Sequence, residues 1–175
     1  MTTEPSVSVV IPNYKTDEYL SRAIDSVLNQ TYGEHEILLV DSSGTDTVRE
    51  IADSSKQISY QYTEPEGVAA ARNLALDRMT GEFVAFLDAD DYWAPKKTEY
   101  QLEMLRSTDA DFVYSDEYLL AGGNRRYHGT LPVDDPERHF VEYFRRGSGI
   151  PIRTVMVRQS CLGDKRFWEE LAVRE

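Results

Sequence analysis

Six short apolar runs set between helix-forming stretches constrain this chain more than any other feature. They are VSVVI at 7–11, EILLV at 36–40, ISYQY at 58–62, EFVAFL at 82–87, DFVYS at 111–115 and TVMV at 154–157. ISYQY alternates, whereas the others read as continuous apolar segments suited to strands covered on both faces. Helical patterns lie between the first five. Leu20, Ala23, Ile24, Val27 and Leu28 fall on one face, with Thr16 or Asp17 as N-cap and Gly33 beyond the end. Thr45 caps a short helix carrying Val48, Ile51 and Ala52; Gly67 to Arg78 forms a small-residue helix that Gly81 ends; Pro95 opens the first turn of a helix carrying Tyr100, Leu102 and Leu105. Such alternation predicts an α/β fold with a mainly parallel central sheet and helices on both faces.

After Tyr114 the rhythm changes. Residues 117–121 and 125–129 flank Gly122–Gly123–Asn124 and read as a hairpin, a small antiparallel edge element. Residues 137–145 suit one short helix, and 147–151 (GSGIP) a loop. No repeat or linker separates two cores, so residues 1–175 are read as one domain.

Composition narrows the function classes. With 19 basic and 31 acidic residues the net charge is −12, which repels phosphate backbones and anionic headgroups and argues against nucleic-acid binding. An anionic ligand then needs a local device, such as a metal ion or backbone N–H groups. Cys161 alone allows no internal disulfide, and neither a signal peptide nor an apolar run approaching the ~18 residues of a membrane span is present, so a cytoplasmic location is expected. The preference for Arg over Lys also fits a salt-rich cytoplasm.

In open α/β sheets ligands bind beyond the carboxyl ends of the strands. The segments there are Pro12–Asn13–Tyr14, Asp41–Ser42–Ser43–Gly44 and Asp88–Ala89–Asp90–Asp91. The glycine signatures of dinucleotide and nucleoside triphosphate sites are missing, as is a nucleophile elbow. His35, His128 and His139 lack metal-ligand spacing and are expected at the surface. Two readings of the aspartate cluster stand side by side. Up to three carboxylates at the crevice mouth suit Mg²⁺ or Mn²⁺, which would bridge an acidic protein to a diphosphate; the same residues also serve as turn formers before a helix.

Four blocks in this order, SVSVVIPNYKTDEYLSRAIDSVLNQTY, EILLVDSSGTD, GVAAARNLALDRMTGEFVAFLDADDYWAPKK and GSGIPIRTVMVR, resemble the inverting family 2 glycosyltransferases of the GT-A fold. The resemblance covers nearly the whole chain. It implies a Rossmann-like nucleotide-binding sheet, a divalent metal (Mn²⁺ or Mg²⁺), and transfer of a sugar from a UDP- or GDP-linked donor to a glycan, lipid-linked or protein acceptor. By position, Pro12, Asn13 and Tyr14 match the loop around the nucleotide, and Asp41 the aspartate that bonds the base. Arg72 matches a position near the diphosphate, Asp88 the ribose-side acid, and Asp90 the metal ligand, with Asp88 as a second metal candidate. The alternatives are an Asx turn for Asp41 and a surface ion pair for Arg72. Trp93 is read as packing between strand and helix.

The resemblance also carries departures. Ser42 stands where many members have a second acid. Glu175 looks like the first member of the acidic pair that supplies the general base, whose aspartate is expected directly after it, so residues 1–115 are read as a donor-binding half and 116–175 as an incomplete acceptor side. The chain is accordingly expected to be a fragment whose catalytic base is not included. Substitution by Glu169, Glu170 or Glu175 is disfavoured, because WEEL reads as the solvated face of a terminal helix. Competing functions are a non-catalytic nucleotide-sugar-binding module and a sugar nucleotidyltransferase; the latter would show a Gly- and Arg-rich loop where PNYKTDEY stands.

Overall fold

The computed structural model describes residues 6–129 and 150–169. The elements run β1 (Val7–Asn13), α1 (Asp17–Leu28), β2 (His35–Asp41), α2 (Asp46–Asp53), β3 (Ile58–Tyr62), α3 (Val68–Leu76), β4 (Phe83–Phe86), α4 (Lys97–Ser107), β5 (Phe112–Tyr114), β6 (Glu117–Ala121), β7 (Asn124–His128), β8 (Val155–Arg158) and the single turn α5 (Gln159–Leu162). Six strands form one sheet in the order β3-β2-β1-β4-β8-β5. β1 pairs in parallel with β2 and β4, and β2 with β3, whereas β8 runs antiparallel between β4 and β5.

The sheet is buried on both faces because its central strands carry apolar residues at successive positions. Val7, Val9 and Ile11 of β1 and Ile37 and Leu39 of β2 join Leu20, Ile24 and Val27 of α1, Val48 of α2, and Leu102 and Leu105 of α4. Val10, Leu38, Val40, Val84 and Phe86 face the other way, against Ala71, Ala75 and Leu76 of α3 and Leu162 of α5. Small side chains let α3 lie close to the sheet, and each fully buried Leu or Ile contributes about 1.5–3 kcal/mol. No helix among the described residues is long and apolar enough to cross a membrane.

The expected fold class is the one found, with local corrections. β6 and β7 form the expected antiparallel hairpin, but among the described residues they make a separate two-stranded sheet, and the antiparallel strand of the central sheet is β8. Gly81 does not end α3, which stops at Leu76; it lies before β4, where an added Cβ would come within 2.6 Å of the Ser8 backbone nitrogen. Pro95 precedes α4, which starts at Lys97, and its carbonyl accepts the Thr31 N–H at 2.9 Å. Tyr100 is exposed on α4 instead of sharing the core face with Leu102 and Leu105. Thr16 is the N-cap of α1, but its hydroxyl bonds Asn13 Oδ1 at 2.9 Å and caps no helix N–H. Thr45 does cap α2, accepting from the Val48 N–H. His35 is buried, not at the surface, with Nε2 3.2 Å from Thr98 Oγ1. Burial drives its pKa down to about 4, helped by the nearby Lys97 charge, so the ring is neutral at pH 7. The helix expected at 137–145, with His139, Glu170 and Glu175, lies outside the described residues.

Candidate functional site

The carboxyl ends of β1, β2 and β4 meet along one edge of the sheet. Odd-numbered residues of β1 bond toward β2, as the Val7 N–H to Glu34 O and the Ser42 N–H to Asn13 O show. Even-numbered ones bond toward β4, through Ser6 O and Val10 O. Pro12, which lacks an N–H, therefore presents its vacant side toward β4 beyond Val10–Phe86, where that ladder stops. The two central strands part there, which opens the crevice the topology requires.

On one side of the crevice the β1 and β2 ends are locked together. Asn13 lies opposite Asp41 in register, and its amide donates to Asp41 Oδ1 at 2.9 Å and to Asp17 Oδ1 at 3.0 Å. Asp41 is fully buried. It accepts the Ser43 and Gly44 N–H groups, each at 2.9 Å, and the Tyr60 hydroxyl at 3.2 Å. The Asx turn weighed for Asp41 is thus present, with four donors satisfying one carboxylate. Gly44 has φ +68° and lies against the Tyr62 ring, so a side chain there would meet both backbone strain and a 2.9 Å contact. Tyr14 is exposed beside this cluster, with the Lys15 ammonium 4.7 Å from its ring centroid.

The β4 end is built from charges. Asp88 and Asp91 close a turn through the Asp91 N–H to Asp88 O bond at 3.0 Å. Arg72, on α3, donates from Nη2 to Asp88 Oδ1 at 2.6 Å, while its Nε is buried without a hydrogen-bond partner among the described residues. Asp90 is exposed, and its backbone carbonyl is the group held, by Arg22 Nη2 at 3.3 Å. Asp91 Oδ2 lies 3.1 Å from Arg153 Nε. Burial pushes the Asp91 carboxyl up to about 6 against the pull of Arg153, with Asp88, Asp90 and Glu117 adding repulsion. Trp93 is buried, its indole N–H donating to Arg153 O at 3.2 Å, in the packing role expected of it.

The structure therefore brings Pro12, Asn13, Tyr14, Asp41, Arg72, Asp88 and Asp90 to one edge, in two groups. No set of three or more His, Cys, Asp or Glu among the described residues converges on one point. The donor set fits a hard divalent cation that takes one or two carboxylates and completes its shell with diphosphate and water oxygens. Sequence reasoning missed Arg22, Tyr60, Glu117 and Arg153 as members of this edge. Of these, Arg22 and Arg153 carried a signal, through their places in SVSVVIPNYKTDEYLSRAIDSVLNQTY and GSGIPIRTVMVR.

Residues 8–164 match the sequence profile of Glycosyl transferase family 2. The chain belongs to glycosyl transferase family 2. This family 2 chain is 38% identical over 166 residues to the UDP-Glc:alpha-D-GlcNAc-diphosphoundecaprenol beta-1,3-glucosyltransferase WfgD of Escherichia coli, covering 92% of its own length and 63% of that protein. It is 37% identical over 123 residues to the putative teichuronic acid biosynthesis glycosyltransferase TuaG of Bacillus subtilis, covering 67% of its own length and 49% of that protein. The family 2 chain thus spans roughly half to two thirds of these relatives. Among solved structures it resembles S. aureus TarS 1-349 in complex with UDP, with a TM-score of 0.71 at 22% identity over 96% of this chain and 52% of that one. The mannosyltransferase PcManGT from Pyrobaculum calidifontis, in complex with GDP-Man and Mn²⁺, gives a TM-score of 0.66 at 23% identity over 93% of this chain and 47% of that one. These structural likenesses establish a GT-A fold for the family 2 chain.

Proposed function

We propose that this chain is the donor-binding part of a metal-dependent glycosyltransferase that moves a sugar from a nucleotide-diphosphate sugar to an acceptor hydroxyl with inversion. The observation that carries the reading is the meeting of the Asn13–Asp41 cluster with the Arg72–Asp88 pair and the exposed Asp90 across one crevice. The relatives and neighbours support nucleotide-sugar chemistry, since they are named for UDP-Glc or solved with UDP or GDP-Man.

Asp41 receives the base. Its contact with the Tyr60 hydroxyl, at 3.2 Å the longest of four, is the one exchanged for a base N–H. Arg72 turns toward the diphosphate, where a guanidinium with an unused Nε pairs with phosphate oxygens. Asp90, with Asp88 beside it, would hold Mn²⁺ or Mg²⁺. Such an ion, when bound, neutralises the charge that gathers on a departing diphosphate. Inversion needs a base behind the acceptor oxygen, on the face opposite the leaving group. The acceptor class is a glycan, lipid-linked or protein hydroxyl, and the reaction belongs to the cytoplasmic side of glycan assembly.

Thermal stabilisation by UDP, GDP and their sugar conjugates, with Mn²⁺, Mg²⁺ or EDTA, tests the reading. A nucleotide at 100 times its Kd stabilises by about 2.7 kcal/mol. The expected result is a metal-dependent shift with one base only, lost in Asp90→Ala. Absence of a shift with every nucleotide would sink the donor-site assignment.

A further inference from the structure

The turn that carries Asp90 is held from outside by one residue, twice. Arg153 precedes β8, and because β8 inserts antiparallel beside β4, that residue comes to rest against the chain leaving β4. Its carbonyl accepts the Trp93 indole N–H at 3.2 Å, and its guanidinium Nε lies 3.1 Å from Asp91 Oδ2. The same guanidinium reaches Glu117 at the root of the β6–β7 hairpin, with Nε 2.7 Å from Oε2 and Nη2 donating to Oε1 at 3.0 Å. Glu117 Oε1 is also 3.1 Å from His128 Nδ1, on the partner strand. Glu117 is buried at its carboxylate, and Trp93 is anchored in turn by its own N–H to Ser26 Oγ at 3.0 Å. Arg153, Glu117 and Trp93 thus surround Asp91, with Glu117 Oε2 in charge contact with Arg153 but making no hydrogen bond among the described residues.

Charge accounting gives this arrangement a purpose. Of three clustered aspartates, Asp88 faces Arg72 and Asp91 faces Arg153, which leaves Asp90 exposed to solvent. Without Arg153, Asp91 would be a half-buried carboxylate beside Asp88, Asp90 and Glu117, and it would escape toward solvent, dragging its neighbour Asp90 with it. We infer that Arg153 is a positioning residue of the donor site, clamping Asp91 and Trp93 against the hairpin root so that Asp90 is presented to the metal–diphosphate group in one geometry. This rests on the donor-site reading above and adds to it the device that holds the ligand still.

The test uses the full chain with UDP or GDP and increasing Mn²⁺, following nucleotide-dependent thermal stabilisation. Arg153→Met should raise the Mn²⁺ concentration for half-maximal stabilisation at least fivefold, with Arg153→Lys in between because it keeps the charge and loses the forked geometry. If Arg153 acts through Asp91, adding Arg153→Met to Asp91→Asn should change that concentration by less than twofold. Hydrogen exchange at the Asp91 amide should quicken in Arg153→Met by more than at the core strands β1 and β2, a readout independent of nucleotide. The inference is overturned if Arg153→Met and Arg153→Lys both bind as the unaltered chain does, or if the loss is equally large in the Asp91→Asn background. If the unaltered chain shows no Mn²⁺-dependent stabilisation, the donor-site reading itself has failed and this one falls with it.

Discussion

The two edges of the central sheet handle their polar groups in opposite ways. At the amino ends of β1 and β2 the polar groups are closed on one another. Ser8 Oγ donates to Glu36 Oε1 at 2.5 Å and accepts the Gly81 N–H at 2.9 Å, while the Thr80 N–H reaches the same Glu36 oxygen at 2.7 Å. Burial alone would raise the Glu36 pKa, but these hydrogen bonds outweigh it and hold the carboxyl below its usual range. At the carboxyl edge the β4 end keeps Arg72 in an exchangeable ion pair with Asp88 and leaves Asp90 exposed. One edge is built to hold the fold and the other to exchange partners, because partly exposed ion pairs cost little to break whereas buried hydrogen bonds cost a great deal.

Asp41 is where that comparison breaks, since it lies at the carboxyl edge yet is as closed as any amino-edge group. Asp41→Ala strands the Asn13 amide and the Ser43 and Gly44 N–H groups, and should cost about 4 kcal/mol in urea unfolding; a cost below about 1 kcal/mol would move Asp41 to the exchangeable class. Gly81→Ala sharpens the other side. Its Cβ would meet Ser8 backbone, which cannot rotate away, so a loss of about 3 kcal/mol is expected by the same measurement.

His35 makes the amino edge pH-sensitive. The unfolded ring takes up a proton near pH 6.5 and the folded ring only near pH 4, so the unfolded state binds more protons in between. Stability should therefore fall as pH drops from 6.5 to 4, by up to about 3 kcal/mol at about 1.4 kcal/mol per unit. His35→Gln should flatten that part of the profile in equilibrium unfolding between pH 4 and 7. The smallest change belongs to Asp90→Ala, which should leave stability within about 0.5 kcal/mol while abolishing metal-dependent stabilisation by nucleotide. A large loss of stability there would show that the carboxyl edge, too, holds the fold.

Much of this was legible along the chain. α1 buries Leu20, Ala23, Ile24 and Val27, as their 3–4 spacing predicts, and Thr45 caps α2 as its position suggests. The gathering of the proposed site residues at the carboxyl ends of β1, β2 and β4 was readable because a parallel sheet places those ends at one edge. His35 was not, since a lone histidine at a strand start carries no mark of the Thr98 and Lys97 that α4 brings over it. Gly81 misled for a related reason: a glycine after a helix reads as its stop, and only the approach of Ser8 shows what it accommodates.

The sequence by itself determined the α/β alternation, the covered faces of the strands and the family, because hydrophobic period and block order are local properties of the chain. The tertiary structure alone decided that β8 runs antiparallel between β4 and β5, and with it that Arg153 grips Asp91, Trp93 and Glu117. Strand direction and ion-pair choice depend on groups far apart in the chain, whose meeting is settled by how the whole sheet packs and not by any residue's own preference.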